Sequence, residues 1–235
     1  MRWSTLWWSD LTPIDRVGIM INGIQFKVCG LTSLVDAELA DRAGADYLGF
    51  NLYAKSPRSV TLEQYRAMAP RLHGGRKVAV TVEPTLAEMR EIAATGFDLI
   101  QVHFDANVFP SGAAAWAEEA GSQRLWLAPR LAPESDVPTA VLSLANTFLF
   151  DAFVADKFGG SGKTADWTKF RRYREAKPEK TWILAGGLNP ENISIALKVT
   201  GARIVDVNSG IEAGPGVKDP ARLAAFVARL AESRA

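Results

Sequence analysis

The sequence has few of the residues that build disulfide frameworks and metal clusters. Its 235 residues include one cysteine, Cys29, and two histidines, His73 and His103. A single cysteine cannot form an internal disulfide, which is typical of proteins in a reducing compartment. The histidines lie far apart, with no cysteine or carboxylate cluster at the spacing of metal ligands. We therefore expect no zinc site and no metal cofactor.

Long apolar runs and an excess of charge are also missing. No run approaches the roughly 18 apolar residues that a membrane-spanning helix needs, and polar residues interrupt the longest apolar region, 140–154. The N-terminus has no continuous apolar segment before Asp10, so it is a poor secretory signal. The 27 Lys plus Arg nearly balance 26 Asp plus Glu, which gives no argument for a nucleic-acid or membrane partner. We expect a cytoplasmic protein.

A short apolar run, a polar loop and a helical stretch repeat along the chain from residue 25 onward. Such runs recur roughly every 20 to 35 residues, a spacing typical of β/α units. They are continuous rather than alternating, as in a parallel sheet that is covered on both faces. The eight predicted strands are 25–28, 47–50, 78–82, 99–102, 125–128, 148–150, 182–184 and 204–207.

The starts of several helices are also recognisable. Capping-box patterns and capping residues before proline mark four of them: Thr61 with Gln64, Thr85 with Glu88, Asn189 before Pro190, and Asp219 before Pro220. The segment 129–138 after the fifth strand contains three prolines. Because proline interrupts helices, this segment predicts a short or missing fifth helix.

Eight β/α units predict an α/β protein with a compact (β/α)8 TIM barrel. The barrel is expected to form a single domain over residues 25–235, after a short N-terminal extension, 1–24, to which we assign no function. An open doubly wound sheet has the same sequence of elements. The barrel is favoured because the chemically unusual residues follow several different strands, where barrel enzymes place their active sites.

Three side chains at strand ends are candidates for chemistry. Cys29 ends the first strand before a glycine; its thiolate would serve as a base or nucleophile, and the alternative is a small buried hydrophobic residue. Asp151 directly follows the apolar sixth strand, where desolvation raises the pKa of a carboxyl towards the range of a general acid; the alternative is a cap or an ion pair. Arg58, after the second strand, offers a fork for a carboxylate or phosphate, unless it is an exposed surface arginine.

Glycines follow the last two strands. Gly186 and Gly187 come after strand seven, and Ser209 and Gly210 after strand eight. Glycine loops expose backbone N–H groups, and these are the loops in which barrels most often bind phosphate. The two loops together predict a phosphate site.

The glycine-rich segment 158–164 is similar to a nucleotide-binding P-loop, but the spacing would require glycine at the position of Lys157. Neither a Rossmann glycine motif nor a G-x-S-x-G motif is present. A loop that closes over the site is the better interpretation of Gly159 and Gly160.

These residues together resemble the phosphoribosylanthranilate isomerase family of tryptophan biosynthesis. The matching segments extend from the first strand to the last helix: KVCGLT (27–32), GADYLGFNLYAKSPRSV (44–60), DLIQVH (98–103), FDAFVADKFGGSGKTADW (150–167), AGGLNPENI (185–193) and DVNSGIEAGPGVKD (206–219). The resemblance implies an enzyme that converts an aminoaldose, N-(5-phosphoribosyl)anthranilate, to an aminoketose by an Amadori rearrangement. It implies a phosphorylated small-molecule substrate and no cofactor.

The resemblance also assigns roles to individual residues. Cys29 matches the general base, Asp151 the general acid, and Arg58 the residue that holds the anthranilate carboxylate. The residues that match the phosphate-binding loops are Gly186, Gly187, Ser209 and Gly210, and those in the covering loop are Gly159 and Gly160. Such acid–base pairs usually combine an acid of raised pKa with a base of lowered pKa.

Two other functions remain as alternatives. A non-catalytic sugar-phosphate-binding barrel would explain why His103-Phe104-Asp105 departs from the family's histidine-glycine-acidic run. It would have no use for Cys29 and Asp151. A barrel acting on the aminoaldose of histidine biosynthesis would have aspartate where this chain has cysteine. Composition does not determine the oligomeric state, and we favour a monomer.

Overall fold

The computed structural model describes residues 20–106, 108, 112–132, 134–152 and 164–233, and in it eight parallel strands close into a barrel. The last strand pairs with the first, with Lys27 opposite Asp206. The strands are β1 Gln25–Val28, β2 Tyr47–Asn51, β3 Arg76–Val82, β4 Leu99–Asp105, β5 Leu125–Arg130, β6 Thr147–Phe150, β7 Thr181–Leu184 and β8 Ile204–Val207. The predicted TIM barrel and all eight of its strands are confirmed, and the open sheet is wrong.

Eight helices accompany the strands in the part of the chain that the structure describes: α1 Leu34–Arg42, α2 Leu62–Met68, α3 Leu86–Ala94, α4 Ala113–Ala120, α5 Thr139–Leu142, α6 Trp167–Ala176, α7 Ile193–Thr200 and α8 Pro220–Glu232. The fifth helix has only four residues, which confirms the prediction from the prolines. After β8, a short antiparallel hairpin is formed by β9 Glu212–Gly214 and β10 Val217–Lys218. None of the described helices is long and apolar enough to cross a membrane.

Three of the four predicted helix starts are confirmed. Thr61 and Thr85 each form a complete capping box at the start of α2 and α3. Asp219 accepts hydrogen bonds from two backbone N–H groups in the first turn of α8, which begins at Pro220. These side chains satisfy backbone donors that have no partner within the helix.

The predicted helix start at Asn189 is wrong. Its side-chain oxygen accepts hydrogen bonds from the N–H groups of Glu191 and Asn192, which orders a turn instead. The helix α7 begins only at Ile193. An asparagine before proline stabilises either structure, because its side chain can hydrogen-bond the backbone two or three residues later in both.

Two apolar layers surround the strands, one towards the helices and one inside the barrel. Along β1, Phe26 and Val28 pack towards the helices, whereas Cys29 belongs to the inner layer. Because side chains alternate along a strand, Lys27 and Cys29 share the inner face. The first strand therefore places an amine and a thiol inside the barrel.

Residues 1–19 of the N-terminal extension lie outside the described residues.

Candidate active site

Cys29 is the first residue after β1 and is buried. Its N–H donates to the carbonyl oxygen of Val207 on β8, which fixes its position. The next residue, Gly30, has a φ of +70°, and a Cβ there would lie 2.7 Å from Cδ of Arg58. Only glycine suits both this backbone conformation and this contact. The KVCG sequence thus brings the thiol and the Arg58 side chain to the same end of the barrel.

Asp151 directly follows β6, and its Oδ1 accepts a hydrogen bond of 2.7 Å from the N–H of Ala152. Gly186, after β7, allows this arrangement, since a Cβ there would lie 3.0 Å from the same oxygen. Burial raises the pKa of the Asp151 carboxyl to about 6, the Ala152 N–H opposes this rise, and the charge of Asp206 adds to it. The carboxyl therefore holds a proton over a pH range in which an ordinary aspartate does not.

An ion pair joins β1 to β8 inside the barrel. The ammonium of Lys27 lies 2.8 Å from Oδ2 of Asp206, and both side chains are almost completely enclosed. The charges of Lys27 and Asp206 both influence the pKa of Cys29 and the pKa of Asp151. The predicted acid and base follow strands on different sides of the barrel, and the charges of this one buried ion pair influence the pKa of both.

The pKa of Cys29 departs from the lowered value that is usual for the base of such a pair. Burial raises the pKa of the thiol above its ordinary value, and the charge of Asp206 raises it further; the charges of Lys27 and Lys218 oppose this rise. The physical reason is that the thiol lies among apolar side chains of the inner layer, where an anion is poorly solvated. At neutral pH the Cys29 thiol of the free protein is therefore mostly protonated.

Arg58 is only 8% exposed, so the surface interpretation of this residue is wrong. Its Nε and Nη2 donate to both carboxylate oxygens of Glu212, which also accepts a hydrogen bond of 2.9 Å from Nζ of Lys218. Arg58 Nη1 makes no hydrogen bond with any residue that the structure describes. One edge of the guanidinium is thus held by Glu212, and the role of Arg58 towards a substrate stays a prediction.

The loops after β7 and β8 pack against each other. A Cβ on Gly210 would overlap the carbonyl oxygen of Leu188, so only glycine permits this approach. Gly186 and Gly187 both have positive φ, which turns the first loop sharply. Ser209 and Gly210 lie in a short 3₁₀ helix in the second loop. The predicted phosphate loops are therefore neighbours, and their ligand stays a prediction.

Gly159 and Gly160 lie outside the described residues, so the predicted covering loop remains a prediction. His103 lies on β4, and its ring nitrogen is 2.7 Å from Nε2 of Gln101. Burial lowers the pKa of His103 to about 3, and the charge of Lys27 lowers it as well. This histidine is therefore neutral. Within the described ranges, no group of three or more His, Cys, Asp or Glu side chains could hold a metal ion.

Sequence reasoning missed three buried ion pairs, which join Lys27 to Asp206 and both Arg58 and Lys218 to Glu212. A signal was available for the first pair. Lys27 interrupts the apolar run of β1, and Asp206 interrupts that of β8. Charged residues are rarely buried unless they are paired, so two charges of opposite sign in adjacent buried strands predict a contact.

Comparison with known proteins agrees with this arrangement. The family model for N-(5'-phosphoribosyl)anthranilate (PRA) isomerase matches residues 26–229. The N-(5'-phosphoribosyl)anthranilate isomerase of Neisseria gonorrhoeae is 37% identical over 209 residues, which cover 87% of this chain and 95% of that protein. The enzyme of the same name from Zymomonas mobilis is 33% identical over 208 residues, covering 87% of this chain and 96% of that protein.

Solved structures give the same result. Phosphoribosyl anthranilate isomerase from Thermotoga maritima superposes with a TM-score of 0.74 at 30% identity, covering 88% of this chain and 98% of that one. A phosphoribosyl anthranilate isomerase in complex with reduced 1-(o-carboxyphenylamino)-1-deoxyribulose 5-phosphate superposes with a TM-score of 0.71 at 28% identity and the same coverage. The chain therefore belongs to the N-(5'-phosphoribosyl)anthranilate isomerase family.

Proposed function

We propose that this chain catalyses the Amadori rearrangement of N-(5-phosphoribosyl)anthranilate to 1-(o-carboxyphenylamino)-1-deoxyribulose 5-phosphate. Membership of the family supports the substrate. One structural observation supports the catalytic assignment: Cys29 and Asp151 follow different strands, yet the same buried Lys27–Asp206 pair acts on both. A thiol and a carboxyl that share the influence of one buried ion pair suit a reaction that needs two proton transfers.

The first step assigned to the site is opening of the furanose ring. Protonated Asp151 donates its proton to the ring oxygen, the bond from that oxygen to C1 breaks, and the nitrogen lone pair forms a Schiff base with C1. A carboxyl whose pKa is about 6 is far better protonated near neutral pH than an ordinary aspartate. The N–H of Ala152 then stabilises the carboxylate that remains.

The second step is removal of the proton from C2 of the ribose. The thiolate of Cys29 takes this proton, and the electron pair of the C–H bond forms a double bond between C1 and C2 as the iminium nitrogen accepts electrons. The resulting enolamine becomes the ketone when C1 gains a proton and the C2 hydroxyl loses one. Each positioned acid or base is worth typically about 10²–10⁴-fold in rate.

The other predicted residues hold the substrate in this proposal. Arg58 directs Nη1 towards the anthranilate carboxylate, while Glu212 fixes the other edge of its guanidinium. Backbone N–H groups of the loops after β7 and β8 bind the phosphate, through Gly186, Gly187, Ser209 and Gly210. Gly159 and Gly160 belong to the loop that would cover the substrate.

The test is turnover of freshly generated N-(5-phosphoribosyl)anthranilate by the full chain, followed together with binding of the reduced product analogue. We expect turnover and saturable binding. A folded protein that binds the analogue but turns over no substrate would contradict the proposal and favour the non-catalytic sugar-phosphate-binding barrel. Glu179→Gln, an exposed carboxyl before β7 at the opposite end of the barrel, serves as a control that should leave both measurements unchanged.

Two further expectations remain predictions. A cytoplasmic location is in keeping with the biosynthetic family and with the single cysteine, and cell fractionation would test it. The monomeric state would be tested by sedimentation of the full chain.

A further inference from the structure

Lys27 lies on the first strand and Cys29 directly follows it, and both side chains face the inside of the barrel. A Cβ built on Gly49 of the neighbouring strand β2 would lie 2.9 Å from Cε of Lys27 and 3.1 Å from Sγ of Cys29. Both atoms are therefore within about 3 Å of one point, in space that the glycine leaves open. The ammonium lies one bond beyond Cε, and it is close enough to the sulfur for the charge of each group to act on the other.

Asp206 holds this ammonium in place. Its Oδ2 lies 2.8 Å from Nζ of Lys27, whereas its Oδ1 is buried without a hydrogen-bond partner among the described residues. The two residues are also direct neighbours in the β1–β8 register. A buried ion pair contributes little net stability, because the desolvation of both charges offsets their attraction. Its position beside the thiol therefore favours a chemical role.

We propose that Lys27 is a positioning residue for Cys29: its ammonium, fixed by Asp206, stabilises the thiolate that removes the ribose C2 proton. The inference rests on the proposed function for the identity of that proton. The interaction between Lys27 and the thiol belongs to the free protein and needs no substrate, so it can be measured independently of turnover.

Several other charged groups act on the same site. The thiol is influenced by Lys27 from β1, Asp206 from β8 and Lys218 from β10, and its charge in turn acts on Arg58. The charge of Lys27 also reaches His103 on β4 and Asp151 after β6. Burial and the charge of Asp206 raise the pKa of the thiol. Of the two lysines that lower this pKa, Lys27 acts more strongly, so its loss should have a measurable effect.

The experiment is a titration of the far-ultraviolet thiolate absorbance. Cys29 is the only cysteine in the chain, so the thiolate absorbance has one source, and subtraction of the Cys29→Ser titration removes the absorbance of ionised tyrosines. In Lys27→Met we expect the thiol to titrate at higher pH, with at least about tenfold less thiolate at a fixed pH below the transition. We also expect kcat to fall at least about tenfold while KM changes by less than about threefold. Lys27→Arg, which retains the charge, should restore part of both.

A double variant protects the test against misfolding. Lys27→Met alone leaves Asp206 buried without a counter-ion, which is strongly destabilising, whereas Lys27→Met with Asp206→Asn leaves no unpaired charge. Because Asp206 itself raises the pKa of the thiol, the double variant is compared with Asp206→Asn alone, and the proposal predicts a higher thiol pKa in the double variant. The exposed Lys198→Met should titrate like the wild type. A thiol titration that is unchanged or shifted to lower pH in folded Lys27→Met relative to the wild type, or in the double variant relative to Asp206→Asn, would overturn the proposal. A raised thiol pKa in Lys27→Met, when the wild type itself turns over no substrate, would support the proposal and contradict the proposed function.

Discussion

The guanidinium of Arg58 donates two hydrogen bonds to the carboxylate of Glu212, from Nε to Oε1 at 2.9 Å and from Nη2 to Oε2 at 2.7 Å. The two residues are 154 positions apart in the sequence. The ion pair is buried and joins the loop after β2 to the hairpin after β8. Lys218 binds the same carboxylate at 2.9 Å. Two cations thus share one anion, which leaves a net positive charge near the thiol and the mouth of the barrel.

Arg58→Ala should mainly weaken substrate binding. The variant removes the Nη1 group that we assign to the anthranilate carboxylate, whereas Lys218 still neutralises Glu212, so the hairpin should stay folded. Because a charge-assisted hydrogen bond contributes to both substrate and transition-state binding, we expect KM to rise about 10-fold or more and kcat to change by less than about 3-fold. Steady-state kinetics measure both constants. Arg171→Ala, on the exposed face of α6, is the control, and an unchanged KM for Arg58→Ala would show that the carboxylate binds elsewhere.

Asp151→Asn should make the protein more stable at alkaline pH. The pKa of Asp151 is raised to about 6 in the folded state, whereas an unfolded aspartate has a pKa of about 3.9. Between these two values the folded state binds more protons, so its free energy of unfolding falls as pH rises. Above pH 6 the full penalty, on the order of 3 kcal/mol, is present, and asparagine abolishes it while its amide oxygen can still accept the Ala152 N–H.

Denaturant unfolding of wild type and Asp151→Asn at several pH values measures this effect. The free energy of unfolding of the variant should exceed that of the wild type at pH 8, and the difference should disappear as pH falls to about 4. Glu179→Gln is the matched control at an exposed carboxyl. Equal stability of Asp151→Asn and wild type at pH 8 would mean that the carboxyl ionises without cost, and Asp151 would then lose its special suitability as the acid.

The pH profile of kcat/KM should rise up to about pH 6 and then remain level. The active form has a protonated Asp151 and an ionised Cys29. The pKa of the Asp151 carboxyl lies below that of the Cys29 thiol, so only a small fraction of the protein is in this active form at any pH. That fraction grows as pH rises towards 6. Above pH 6 it stays constant until the thiol titrates, because the loss of protonated Asp151 is balanced by the gain of ionised Cys29. Binding of the reduced product analogue, measured at the same pH values, shows which part of the profile comes from ionisation of the substrate phosphate rather than of the protein. A profile that falls as pH passes through 6 would contradict these assignments.

The sequence predicts the scaffold of this protein well because local and tertiary preferences agree there. Thr61 and Thr85 cap their helices with side chains that depend only on neighbouring residues. Each buried parallel strand carries its own mainly apolar run, so all eight could be located. Asn189 shows the limit of this reasoning, because its capping side chain orders a turn three residues before the helix.

The electrostatics of the site could not be predicted in the same way. The sequence identifies Cys29 and Asp151 as candidates, but the pKa of each depends on groups that the fold brings from other strands. Asp206 raises the pKa of both and Lys27 opposes it, and their pairing exists only because β8 closes the barrel against β1. The ion pair between Arg58 and Glu212 could not be predicted either, because 154 positions separate the two residues in the sequence.

Turnover by Cys29→Ala under saturating substrate tests the central claim most directly. The claim is that the sulfur removes the C2 proton, so kcat should fall at least about 100-fold while binding of the reduced product analogue changes by less than about 3-fold. His73→Ala, an exposed residue before β3, should behave as the wild type. A folded Cys29→Ala protein with a kcat close to that of the wild type would show that another group is the base.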